Sequence, residues 1–156
     1  GVPAKHASAA LAAALRPRPC VELAEVLPQV CDPEAPLRVL ALDAVDEETM
    51  GALFRVADCF GVHLVLLSES CGDPFHRRAA RVSMGHVFRV PVLRGDLPSL
   101  LRELRERSVL TLAAAPPGTA GFLDEVTGAF PRRWACAVGP EGPVTCGAVG
   151  DACERR

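Results

Sequence analysis

An arginine set among apolar residues and a carboxylate held between glycines are the two groups in this chain best suited to chemistry. The arginine is Arg55, within Thr49-Met50-Gly51-Ala52-Leu53-Phe54-Arg55-Val56-Ala57, where it interrupts what otherwise reads as the apolar face of a helix. Its planar guanidinium can meet a phosphate or a developing oxyanion through paired hydrogen bonds. The carboxylate is Glu141, in Gly139-Pro140-Glu141-Gly142, directly after the apolar run Trp134-Ala135-Cys136-Ala137-Val138. Glycine lets a backbone approach a ligand closely, and a carboxylate at a strand end can orient a polar partner. Each group also has a plainer reading. Arg55 could be a surface residue laying its stem over apolar neighbours, and Gly-Pro-Glu-Gly could be an ordinary turn. The occurrence of both segments, in this order, within one α/β pattern favours the functional reading.

The elements that must position these groups begin at Leu37. Residues 1–36 are rich in Ala and Pro and read as an N-terminal helical arm and linker, with short helices expected around Ala7–Leu15 and Val21–Leu27. Leu37–Leu42 then reads as a buried strand, and Asp46-Glu47-Glu48-Thr49 as a helix start, because acids and hydroxyls complement unpaired N–H groups. That helix should reach about Phe60 and stop at Gly61. Further strands are expected at Val62–Leu67, Val87–Val90, Val109–Ala113 and Trp134–Val138, alternating with helices at Pro74–Val82, Leu97–Arg107 and Thr119–Ala129. This alternation implies an α/β fold, a parallel sheet flanked by helices, with ligands beyond the carboxyl ends of the strands. Gly139–Gly142 occupies such a position.

Composition narrows the function classes. The 156 residues carry a net charge of −2, so no overall field draws the molecule to nucleic acid or membrane. The distribution is less even. Between Pro74 and Gly95 stand Arg77, Arg78, Arg81, Arg89 and Arg94, with His76 and His86 and no acid, a stretch that can meet phosphates or simply solvate a helix face. No apolar run approaches the roughly 18–20 residues a membrane span needs. The seven cysteines form no C-x-x-C pair, and neither they nor the four histidines have metal-ligand spacing. No metal is expected, and the odd cysteine count argues against a complete disulfide framework, so an intracellular, reducing compartment is expected. The glycine-rich dinucleotide turn and the phosphate-binding loop ending in Gly-Lys-Ser/Thr are both absent.

From Leu37 to about Thr145 the chain resembles the SpoU (TrmH-type) branch of the SPOUT RNA methyltransferases. The family's first motif has the form Asn-x-Gly-(Ala/Thr)-(Leu/Ile)-x-Arg-(Thr/Ser/Asn)-Ala, and Thr49–Ala57 matches it except at Thr49 and Val56. The segment Ala80–Pro91 is similar to the stretch before and through the family's third strand. The second motif, an apolar strand followed by Gly-Asn-Glu-Gly, matches Val138-Gly139-Pro140-Glu141-Gly142 with Pro140 in place of Asn. The third, an Ile-Pro-Met-like strand followed by Ser-Leu-Asn, has no counterpart before Arg156, so the knot-forming C-terminal segment is expected to be missing or incomplete in residues 37–156.

The resemblance implies an S-adenosylmethionine-dependent enzyme methylating a ribose 2′-hydroxyl of tRNA or rRNA, working as a homodimer. It implies catalytic roles for Arg55, anchoring the phosphate and the nascent oxyanion, and for Glu141, orienting Arg55 or the ribose. Gly139, Pro140 and Gly142 would meet the cofactor, with Ala113 and Ala114 as a neighbouring wall, and Arg77, Arg78 and Arg81 would contact RNA. Two other readings stand beside it: a catalytically inactive SPOUT-like RNA-binding or dimerisation module, and an unrelated flavodoxin-like domain binding flavin or phosphate.

Overall fold

A computed structural model of the chain describes residues 16, 22–32, 34–115, 131–139 and 147–154. Five strands, β1 (Leu37–Leu42), β2 (Leu64–Leu67), β3 (Val92–Arg94), β4 (Leu110–Ala113) and β5 (Arg133–Val138), form one sheet. The strand order is β3-β2-β1-β5-β4 and every pairing is parallel. Central parallel strands are covered on both faces and so need near-continuous apolar sequence. Leu64, Val65, Leu66 and Leu67 are accordingly all buried.

Successive side chains on a strand point to opposite faces, and the helices divide accordingly. Leu37, Val39 and Ala41 pack with α1 (Leu23–Val30), α4 (Leu97–Glu106) and α5 (Ala148–Ala152). Leu42, Val65 and Leu67 pack with α2 (Glu47–Cys59) and α3 (Arg77–Val82) on the other side. Leu23, Val26 and Leu27 of α1 lie in the first of these cores. In α4 the buried residues are Leu97, Leu101 and Leu104, and each fully buried leucine contributes about 1.5–3 kcal/mol.

Local chemistry sets the helix ends. Asp46 caps α2 by accepting the Thr49 N–H at 2.7 Å, and this bond, first among several, holds its carboxyl below the usual carboxylate range. Glu47 and Glu48 follow in the first turn, and Gly61, at φ 63°, lies just past the helix end where a left-handed residue is needed. Asp96 caps α4 in the same way through Ser99.

The strand expected at Val87–Val90 is not one. His86–Phe88 is a 3-10 turn entered through Gly85 at φ 86°, and β3 begins only after Pro91, at Val92. Val87 and Val90 are both buried, and their spacing of three is helical rather than alternating. The helix expected from Pro74 begins at Arg77, and α5 lacks any strong sequence signal. The helices expected at Ala7–Leu15 and Thr119–Ala129 fall outside the described residues.

At the amino edge of the sheet, His63 Nδ1 accepts the Arg38 N–H at 3.1 Å. Burial, then the charge of Arg38, pushes its pKa below the ordinary 6.5. The unfolded chain therefore binds this proton more readily than the folded one, and stability declines as pH falls below about 6.5. A His63→Gln variant should show a smaller drop in Tm between pH 7.5 and 5.5 than the wild type, measured by thermal melts at both values.

Candidate functional site at the carboxyl edge of the sheet

The carboxyl ends of β1, β5 and β4 lie side by side. Leu42 pairs with Val138, and Ala113 with Ala137. The ladder continues one residue further, with the Asp43 N–H donating to Val138 O at 2.9 Å and the Ala114 N–H to Ala137 O at 2.8 Å. Asp43, Ala114 and Gly139 are thereby gathered at one edge, with Asp43 and Gly139 half-buried and Ala114 exposed. The connection from β1 leads toward β2, whereas β5 and β4 lie on its other side, so this edge is where chain direction divides and open α/β sheets hold ligands.

The β1 end is tied to its other neighbour as well. Ser68 donates its N–H to Leu42 O at 3.0 Å, and its hydroxyl accepts the Ala44 N–H at 3.1 Å. Ala44 is held at φ 49°, a left-handed conformation that costs a non-glycine residue energy and persists only where neighbours fix it. The Cys71 thiol donates to Leu42 O at 3.2 Å. Arg94, at the end of β3, donates to four carbonyls of the loop after β2: Ser68 at 3.2 Å, Glu69 at 3.4 Å, Cys71 at 2.8 Å and Gly72 at 2.5 Å. One rigid guanidinium fork thus braces the loop after β2 against this edge.

Arg55 is exposed on α2, eight residues after Glu47, a helix rise of about 12 Å from the first residue of that helix. It lies one turn beyond Gly51 and one turn before Asp58, on the flank that meets α3 and the 3-10 turn. Gly51 touches that flank so closely that an added Cβ would stand 2.8 Å from Ala79 O and 2.9 Å from Val82 Cβ. Asp58 reaches the 3-10 turn through His86 Nδ1 at 2.5 Å and Arg89 Nε at 3.3 Å. The motif glycine therefore has a packing role, close approach of two helices. Arg55 has no hydrogen-bond or ion-pair partner among the described residues.

On α3, Arg77, Arg78 and Arg81 are all exposed. Arg78 is engaged with Glu48, whose hydrogen bond, first among the causes, raises its pKa. Arg77 and Arg81, four residues apart on one helix face, have no partner among the described residues. Ala113 is buried, and Ala114 lies at the same edge through its bond to Ala137 O. Pro140, Glu141 and Gly142 lie outside the described residues. One residue of this edge was not singled out from sequence. Asp43 follows the apolar run Leu37–Leu42 just as Gly139 follows Trp134–Val138, so the same logic applied to both strands identifies it. Arg94 reads in sequence only as part of a basic stretch able to meet phosphates or solvate a helix face, whereas its guanidinium is engaged by carbonyls distant in sequence.

Among the described residues no group of three or more His, Cys, Asp or Glu could hold a metal ion, and no helix is long and apolar enough to cross a membrane. Cys31, Cys59, Cys71 and Cys136 are free thiols, and burial pushes Cys136 above the ordinary 9.0.

Comparison with known proteins places this geometry in context. The family model described as the SpoU rRNA Methylase family matches residues 36–155. An uncharacterized tRNA/rRNA methyltransferase of Mycobacterium tuberculosis is 42% identical over 120 residues, covering 74% of this chain and 42% of that protein. The 23S rRNA (guanosine(2553)-2′-O)-methyltransferase RlmP of Bacillus subtilis is 33% identical over 88 residues, covering 56% of this chain and 36% of RlmP. The SpoU methyltransferase AviRb from Streptomyces viridochromogenes, solved in complex with the cofactor AdoMet, shares the fold at a TM-score of 0.69 and 16% identity. That match covers 88% of this chain and 51% of AviRb. The chain thus spans 42% or less of the two curated relatives' lengths.

Proposed function

We propose that this chain, which belongs to the SpoU rRNA Methylase family through residues 36–155, serves an S-adenosylmethionine-dependent enzyme that methylates a ribose 2′-hydroxyl of ribosomal or transfer RNA. The observation that carries this reading is the family match falling on a parallel sheet whose adjacent strand ends gather Asp43, Gly139 and Ala114. These residues fit the methyl donor. Gly139, Ala113 and Ala114 have little or no side chain, which leaves backbone open to a flat adenine. The Asp43 carboxylate accepts hydrogen bonds only and has no partner among the described residues, which suits a cationic ligand. Pro140 and Gly142 complete the cofactor loop in this proposal.

Bound S-adenosylmethionine supplies a methyl group on a positively charged sulfur, open to in-line displacement. The chain's own task is to place the ribose hydroxyl and to stabilise the oxyanion as its proton leaves. Guanidinium groups keep their proton in proteins, so Arg55 acts by charge and by hydrogen bonds to the target phosphate and oxyanion. Glu141 orients Arg55 or the ribose, while Arg77, Arg78 and Arg81 hold RNA phosphates. Arg78 does so by exchanging Glu48 for phosphate.

The active form in this proposal is a homodimer. Within one protomer Arg55 lies about 12 Å of helix rise beyond Glu47, and in this proposal a second copy brings its own Arg55 to the carboxyl edge. The free thiols support a reducing, intracellular setting.

Calorimetry of the full-length protein with S-adenosylmethionine tests the reading, with micromolar affinity as the expected result. No affinity for the donor, with RNA binding retained, would instead establish a non-catalytic RNA-binding or dimerisation module.

A further inference from the structure

Resting on the RNA reading of the methyl-transfer site, we propose that Phe88 is a stacking platform for an unpaired base of the RNA substrate. Phe88 leaves 58% of its surface in water, at the end of the 3-10 turn that packs on α2. A large apolar ring so placed forgoes the stabilisation that burial would provide. The ring is nonetheless held in position. It stacks on Phe75 with centroids 5.7 Å apart and planes inclined by 22°, and the Arg16 guanidinium lies 5.2 Å from the Phe75 centroid. Arg16 is itself anchored to Asp73. One side of Phe88 is thus supported by a cation–aromatic pair, while most of the ring stays open to a ligand.

The surroundings select nucleic acid over another apolar surface. No acid occurs between Pro74 and Gly95. The nearest carboxylate from the packed neighbour α2, Asp58, is engaged by His86 and Arg89. Arg77 and Arg81 stand exposed and unpaired among the described residues on the preceding helix. An aromatic face bordered by cations binds single-stranded RNA through stacking, with the phosphates taken by the arginines. Stacking tolerates any base, so the platform positions a strand rather than reading its sequence. Met84, 72% exposed at the left-handed turn before Gly85, widens the same surface.

The test uses the full-length protein and fluorescence anisotropy with a single-stranded oligoribonucleotide and an abasic oligonucleotide of equal length. Phe88→Ala should weaken binding to the normal strand about 5- to 150-fold and leave the abasic strand nearly unaffected. Its salt dependence should match the wild type, whereas Arg77→Ala should flatten it. Phe88→Trp should retain affinity and lose indole emission as the strand binds. The proposal is overturned by equal loss on both strands, by unchanged affinity, or by a wild type that does not prefer the normal strand. A Phe88→Ala protein whose oligomeric state shifts in sedimentation also overturns it, because Phe88 then packs against a second copy. Donor calorimetry in parallel separates these outcomes from failure of the methyltransferase reading, since Phe88→Ala should bind S-adenosylmethionine as the wild type does.

Discussion

Arg55→Ala should lower the methyl-transfer rate about 10²- to 10³-fold while leaving the fold intact. The magnitude is that of removing one preorganised donor from a developing oxyanion. The selectivity follows from the setting of the side chain. Arg55 is exposed on α2 and has no partner among the described residues, so its loss breaks no bond among them. Surface replacements of that kind change stability by no more than about 0.5 kcal/mol. A tritiated-donor assay reads the rate, and a urea melt of the same sample reads stability. Arg55→Lys keeps the charge but not the planar fork and should recover only part of the rate. Full activity in Arg55→Ala would remove the arginine from the mechanism.

Phe54→Ala, one residue earlier, should do the reverse. Phe54 is fully buried in the core between α2 and the sheet, with Met50, Ala57, Val65 and Leu67 in the same cluster. Deleting the ring removes its transfer free energy and leaves a cavity, at a cost of about 3–5 kcal/mol. For a domain of this size that is a Tm lower by roughly 6–20 °C. The denaturant midpoint should fall while the slope of the transition stays unchanged, and activity should recover at temperatures where the variant remains folded. A loss under about 1 kcal/mol would mean that α2 can close over the gap. The pair of variants separates the two duties of one helix, because neighbouring residues about 100° apart face opposite environments.

Glycine in the same segment illustrates why sequence pattern alone misassigns purpose. Gly51 reads as a motif element, a place for backbone to meet ligand, yet the backbone it meets is that of α3. Only packing distances distinguish the two. The 3-10 turn at His86–Phe88 carries the same lesson for local structure. Four mostly apolar residues, Val87–Val90, satisfy a strand pattern, but Gly85 in a left-handed conformation redirects the chain before a strand can start.

What sequence determined by itself was everything that depends on period and on local hydrogen bonding. The mostly apolar run Leu37–Leu42 and the wholly apolar Leu64–Leu67 suit buried strands of a doubly covered sheet. Asp46 marks a helix start because a carboxylate three residues before an unpaired N–H will cap it. The similarity of Thr49–Ala57 and Gly139–Gly142 to one family's motifs likewise needed no coordinates. Tertiary structure decided which strand ends are neighbours. That the ends of β1 and β4 both bond to β5, bringing Asp43, Ala114 and Gly139 to one edge, depends on β5 inserting between them, and its pairing with β1 joins residues roughly a hundred positions apart. It also decided that Arg94 braces a loop and that Phe88 remains in water on an aromatic support. Such contacts are fixed by the global packing of faces, where each residue's partner is set by all the others at once and leaves no trace in its own neighbourhood.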